Sequence, residues 1–403
     1  MNVLEQALKQ IQELNFKGQY RKAYEQLKQV GKDLETYDST FKVFQRRSCN
    51  IELLAAFYTE YGSVALKLSL LDISKECVQC AFYHLKDFAN LNLFILNILT
   101  YQKIKFWLFR YLDSIHLLKR LLNVVPNSLI HYKIEIFINI ANSQRAWCNY
   151  EDAASSINQA EQLANLLSPS HCNDLLKTNI LFHKARLYMD IYRCKHGLGF
   201  ALDCLQQRET LLPRDHPEIA IAMELVAKIN LMQNVVEEAQ KYHDQAYTLK
   251  IKVFGLHNFE TIDSLIEKGR LLLSYKKEQE AMYYFSLIGD ISQVLLGPCN
   301  QYQALSYSNL GCALFNIGEY ESSIEQHSKA LQIQEKFCGQ DYAKLVSSLH
   351  QMANANKLLN RPKAAFTIWW RCQMILEKNP QVNSKQLSVI KSRLEGLSIQ
   401  EED

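Results

Sequence analysis

The sequence is poor in residues that interrupt helices: only 7 prolines and 13 glycines in 403 residues. It also lacks a dominant charge. Lys and Arg total 45 against 42 Asp and Glu, a formal net charge of +3, which argues against a general nucleic-acid surface and against a strongly acidic one. Long hydrophobic runs are missing too. The most apolar stretch, Leu91–Leu99, is cut by Asn92 and Asn97 and followed by Lys103 and Lys105, too short and too polar to span a bilayer; it reads as a core helix. No secretory leader is expected, because MNVLEQALKQ reads as an amphipathic helix. With eleven scattered cysteines, this points to reduced thiols in the cytoplasm, with cytoskeletal or ciliary association as a further expectation, and not to a disulfide framework. There is no Gly-rich phosphate loop, no G-x-S-x-G elbow and no H-E-x-x-H. Nothing marks an enzyme, and no cofactor is expected. No segment alternates with a period of two for long enough to build a sheet, so the fold class is all-α.

What is present is a repeat. Tyr307–Ala330, YSNLGCALFNIGEYESSIEQHSKA, reads as two short antiparallel helices. Tyr307, Leu310, Gly311 and Leu314 share one face of the first, Gly318 breaks the chain, and Tyr320 opens the second, with Ser323 and Ala330 on its inner side. Two helix axes approach closely only where side chains are small, which makes Gly311 and Ser323 the key pair. A shift of 42 residues gives two columns of small residues: Ala185, Ala227, Gly269, Gly311, Ala353 and Gly197, Ala239, Ala281, Ser323, Ala365. The protein is therefore a stack of helical hairpins.

These residues resemble the tetratricopeptide repeat, with Tyr307, Leu310-Gly311, Gly318, Tyr320 and Ala330 in the signature places. His327 stands where that family has Phe, and Ser323 where it has Ala. The long linkers, LPRDHPEI at Leu212–Ile219 and IKVFGLHNFETI at Ile251–Ile262, are similar to those of kinesin light chains. The resemblance implies a right-handed superhelical solenoid and is clear from Leu181 to Leu376. It does not imply motor association, because no N-terminal coiled-coil heptads precede the first hairpin.

Along the chain, residues 1–180 read as divergent hairpins, 181–378 as the regular array, and 379–403 as a capping helix with an acidic tail. Met1–Val30 forms one hairpin that turns at Gly18 and Tyr20. Ser39 or Thr40 is expected to cap a long helix running through Phe44 and Leu54 to Gly62, with Ser74 and Ala81 on its partner. A third unit sets Gln102 opposite Ser114, and a fourth sets Ala141 opposite Ala153. Asn383-Ser384 should cap a last helix carrying Leu387, Ile390 and Leu394. Pro126, Pro169, Pro213, Pro298 and Pro380 fall between hairpins, and Pro217 and Pro362 at first turns of helices. Gly255, Gly297 and Gly339 follow second helices, where a left-handed cap is expected.

First helices should line a concave groove. One residue past each small position lie Arg186, Lys228, Arg270, Cys312 and Asn354, with Lys103 and Asn142 upstream. The residues expected to meet a partner are Lys103, Arg186, Lys228, Arg270, Asn309 and Asn354. The cations suit the carboxylates of an acidic peptide, in agreement with the acidic, aromatic-containing cargo peptides that the kinesin-light-chain resemblance implies. The opposing reading pairs them with Glu224, Glu267 and Asp190. An adjacent column, Met189, Leu231, Leu273, Phe315 and Lys357, is either a greasy floor or buried by the next hairpin. Cys77, Cys80 and His84 share a helix face but lack the fourth ligand of a closed zinc site, so no metal is expected. Asp215-His216-Pro217 reads as a helix cap, and His183, His243, His327 and His350 as packing or groove residues. The expected function is a non-catalytic adaptor for other proteins. The alternative is a structural subunit of a large assembly, with neither nucleic acid nor membrane insertion.

Overall fold

The computed structural model describes residues 2–41, 51–85, 90–379 and 384–398. Among them every regular element is an α-helix, and consecutive helices pair into antiparallel hairpins. The divergent part holds α1 (Asn2–Phe16) with α2 (Tyr20–Phe41), α3 (Ile51–Lys67) with α4 (Leu71–Leu85), α5 (Leu91–Trp107) with α6 (Tyr111–Val124), and α7 (Ile130–Ala146) with α8 (Tyr150–Ala164). The regular part holds α9 (His171–Asp190) with α10 (Cys194–Leu211), α11 (Pro217–Met232) with α12 (Val236–Phe254), and α13 (Phe259–Ser274) with α14 (Glu278–Leu296). It continues through α15 (Gln301–Asn316) with α16 (Tyr320–Cys338) and α17 (Leu345–Leu358) with α18 (Pro362–Lys378), and α19 (Ser384–Ser398) packs on α18.

Every hairpin turns the same way. One residue with positive φ closes each first helix: Gly18, Ser69, Phe109, Cys148, Tyr192, Asn234, Lys276, Gly318 and Asn360. The following N–H bonds back to a carbonyl five residues earlier, as from Leu70 to Ala65 and from Glu319 to Leu314, which satisfies carbonyls the helix end would orphan. Most of these positions are not glycine, so each such turn carries roughly 1 kcal/mol of backbone strain. From Tyr192 onward they recur every 42 residues (192, 234, 276, 318, 360).

The small residues sit where the helices cross. Ala185, Ala353, Ala239, Ala281 and Ala365 are fully buried. At Gly269 an added Cβ would lie 2.3 Å from the Phe285 ring, and at Gly311 it would lie 2.6 Å from His327. Hydroxyls in the second column bond across the hairpin, Ser74 Oγ to Gly62 O at 2.7 Å and Ser323 Oγ to Gly311 O at 2.8 Å. Pro217 and Pro362 open helices, and Pro126, Pro169, Pro213 and Pro298 lie between hairpins. Gly255, Gly297 and Gly339 cap α12, α14 and α16 with φ of 78, 80 and 82°. Their ψ values near 180° put them in a region that only glycine adopts freely.

One expectation fails. Ser39 and Thr40 do not start a helix; both lie inside α2, which runs through Gly31 and on to Phe41 with no proline after Val30 to stop it. The partner of α4 begins at Ile51 and passes through Gly62 to Lys67. Phe44, Pro380 and Asn383 lie outside the described residues. Ile390 and Leu394 of α19 are buried against the last hairpin.

The superhelix closes on itself. The turn of the first hairpin touches the linker between the fifth and sixth, where His216 Nε2 donates to Phe16 O at 3.0 Å and Tyr20 stacks on Phe254. The next three turns repeat the contact one linker further on. Asn258 Nδ2 donates to Lys67 O at 2.9 Å, Trp107 stacks on Phe259 at 4.6 Å and on Tyr302 at 6.0 Å, and Tyr342 Oη donates to Ala146 O at 2.9 Å. About five hairpins thus make one turn, and a seam of aromatic stacks and hydrogen bonds joins the two turns. Each hydrogen bond contributes about 1 kcal/mol net, and each ring pair about as much again.

Candidate binding lumen

The first helices pack on one another in sequence from α1 to α17 and form the inner, concave layer of the superhelix, its lumen. The column expected to face a partner lies on them. Arg186 Nη1 donates to Asn142 Oδ1 at 3.4 Å and its guanidinium lies over the Phe182 ring at 5.6 Å. Lys228 pairs with Glu267 at 3.6 Å, and Arg270 pairs with the same carboxylate at 3.0 Å and reaches Asn309 Oδ1 at 3.4 Å. Lys103 lies apart, 3.6 Å from Glu135. Asn354 accepts from Arg393 of α19, and Cys312 is half-buried between Arg270 and the hairpin core.

The pairing expected of the neighbouring acids holds only for Glu267. Asp190 is taken by Arg145 at 2.5 Å, not by Arg186. Glu224 is buried among His243 (3.4 Å), Lys250 (4.0 Å) and Ser264 (2.8 Å), and it holds no groove cation. Burial alone would raise the Glu224 carboxyl, but Lys250 and His243 bring it down to about 2. Met189, Leu231, Leu273 and Phe315 are half-buried on neighbouring side chains, while Lys357 is exposed.

The lumen has two electrostatic walls. On the basic wall, burial and the neighbouring Arg145 push the Arg186 guanidinium down to about 10. Burial, then Arg186 and Arg145, holds His183 well below its ordinary value, so its ring is neutral. On the acidic wall, burial raises the Glu260 carboxyl; Lys250 opposes the shift, and Asp263 and Glu218 add to it. Burial works against the charge of Lys228, yet Glu267 and Asp263 lift its pKa above the usual value.

Arg145, Asp263 and Arg393 were not among the expected site residues. Arg145 occupies the Met189 column one hairpin upstream, four residues past Ala141, so extending that column back would have found it. Asp263 has no counterpart in the other repeats, and Arg393 comes from the capping helix. Elsewhere, Cys77 is buried, Cys80 exposed, and His84 stacks on Tyr58 at 5.7 Å. His216 caps α11, its Nδ1 accepting from the Glu218 N–H at 3.2 Å.

Among the described residues no helix is long and apolar enough to cross a membrane. A sequence profile of the tetratricopeptide repeat matches residues 303–341. The mouse (Mus musculus) tetratricopeptide repeat protein 23-like is 27% identical over 169 residues, 40% of this chain and 33% of that protein; the chain matches about a third of that relative's length. A crystal structure of a Rap protein complexed with Competence and Sporulation Factor superposes with a TM-score of 0.57 at 13% identity, covering 86% of this chain and 98% of that one. The apo quorum sensor NprR from B. thuringiensis gives 0.56 at 12% identity, covering 93% and 99%. The shared hairpin turn, the small-residue crossing and the matched repeat lead to one conclusion: the chain carries a tetratricopeptide repeat at residues 303–341 and is a solenoid of similar hairpins, spaced by 42 residues from Tyr192 onward.

Proposed function

We propose that this protein is a non-catalytic binding scaffold that holds an extended segment of a partner protein inside the lumen. Residues 1–180 and 181–378 act as one unit, because first helices from both supply its walls. The observation that carries the reading is the position of Arg186. It is half-buried among first helices, and among the described residues it is bonded only to a neutral amide and a ring, with no carboxylate at ion-pair distance. A guanidinium kept in that state can accept a partner's carboxylate with bidentate geometry. The Rap protein, whose fold this chain shares, was crystallised with Competence and Sporulation Factor, which supports a solenoid of this shape as a holder of other molecules. The free thiols of the ten described cysteines fit a reducing cytoplasm.

Fluorescence anisotropy with labelled acidic peptides tests this. Binding should weaken with salt, and Arg186→Glu or Arg270→Glu should each cost about tenfold, as loss of one charged hydrogen bond would. Retained affinity in both charge reversals rejects the reading. A second reading, subunit of a large assembly, rests on an apolar stripe along the outer helix α18. There Phe366, Trp370 and Met374 are 39%, 52% and 38% exposed at successive helical turns. Affinity purification from cells should then recover the same stoichiometric neighbours, and Trp370→Glu should release them.

A further inference from the structure

We infer that the lumen is built for a segment carrying both signs of charge, with an acidic side chain held at Arg186 and a basic one at Asp263. The inference rests on the lumen reading above and narrows it. Charges along the inner helices are matched almost everywhere. Arg145 takes Asp190 at 2.5 Å and Asn142 at 3.2 Å. Lys228 and Arg270 share Glu267, and Lys250 lies 3.5 Å from Glu260. Two groups stand outside this matching. Among the described residues no carboxylate lies at ion-pair distance from Arg186 on α9, and no cation lies at that distance from Asp263 on α13. Both are half-buried.

The two residues sit on first helices two hairpins apart, with α11 packed between them on the inner layer of the superhelix. Each lies within the other's field: Asp263 and Glu260 both act on the Arg186 guanidinium, yet no direct pair forms. Each is also crowded by its own kind, Arg186 by Arg145 and Asp263 by Glu260. A wholly acidic ligand would satisfy the first wall and be repelled by the second; a wholly basic one would do the reverse. Only a ligand with both signs relieves both walls, and rejection of single-sign competitors is then built into the site.

The test uses the full chain and three fluorescein-labelled dodecapeptides: alternating Glu-Ser-Lys-Ser, the same with Glu at every charged place, and the same with Lys. The mixed peptide should bind at least tenfold tighter than either other. Arg186→Glu and Asp263→Lys should each abolish that preference, and the double variant, with its poles exchanged, should regain it. A merely structural role for either residue would not produce that rescue. If the all-Glu peptide binds as tightly as the mixed one and Asp263→Lys changes nothing, this inference is overturned while the lumen reading stands. If no peptide binds, both are overturned. The wild-type comparison decides the matter even if a variant fails to fold, which circular dichroism would reveal.

Discussion

The two superhelical turns use one hairpin design with unequal strictness. In the second helices the small column holds throughout: Ala23, Ser74, Ser114 and Ala153 in the first turn match Ala239, Ala281, Ser323 and Ala365 in the second, all buried. The first helices differ. The early turn carries Ile11, Gly62, Gln102 and Ala141 where the later one carries Ala227, Gly269, Gly311 and Ala353. Spacing differs as well. Turn residues 18, 69, 109 and 148 are unevenly placed, whereas 192 to 360 keep a constant 42. The linkers of the later turn have two duties, since they join hairpins and also receive the early turns through His216, Asn258 and Tyr342. Among the described residues the linker between hairpins three and four carries no such hydrogen bond.

If the later turn is truly the tighter one, overpacking should hurt it most. Gly269→Val would drive a side chain into the Phe285 ring, already 2.3 Å from an added Cβ, and should cost about 3 kcal/mol. Gln102→Ala in the early turn loses the bonds to Ser114 (2.9 Å) and Asn139 (2.9 Å), which is worth about 1–2 kcal/mol. Urea midpoints of the two variants measure the difference. Equal losses would remove the distinction between the turns.

The hairpins were legible because each rests on contacts a dozen residues apart: Gly311 against Ser323, a break at Gly318, a proline between units. The seam was not. His216 reads as a helix cap, which it is, and Asn258 is one residue of a linker; nothing in their local sequence says that their outer edges meet a carbonyl about 190–200 residues away. Trp107 and Trp147 are likewise ordinary aromatics until folding brings Phe259 and Tyr342 to them. The cation column was legible in place but not in pairing. Arg186 lost its expected acid because Arg145 reaches Asp190 first, and that choice depends on the spacing of adjacent hairpins.

The seam is the region where the two turns test each other. Trp107→Ala removes the stacks on Phe259 and Tyr302 and should cost about 2 kcal/mol, below the usual range for a fully buried Trp because the ring is half-exposed. Small-angle scattering should show a larger radius of gyration with unchanged helical circular dichroism. An unaltered radius would mean the turns are held together by the hairpin stack alone.

The smallest effect separates neighbouring hairpins within the later turn. His243, Phe285, His327 and Trp369 occupy one repeat position, 42 residues apart. His243 has Glu224 at 3.4 Å; His327 is fully buried and neither ring nitrogen has a partner. Burial therefore lowers the His327 pKa to about 4. A base whose pKa falls on folding binds fewer protons in the native state, so its stability contribution is intact above the unfolded value, near 6.5, and is lost as the pH drops from there to about 4. Between pH 7 and 6 that loss is about 0.7 kcal/mol. His327→Phe copies the neighbouring hairpin, leaves no unpartnered nitrogen and should remove this share of the acid sensitivity. His350, also lowered to about 4 by burial and then by Arg393, and His183, held low chiefly by burial, keep further shares. Denaturant midpoints of wild type and His327→Phe at pH 7 and 6 decide it: parallel losses would mean that the His327 ring is hydrated in solution, and that this hairpin is looser than the one built on Phe285.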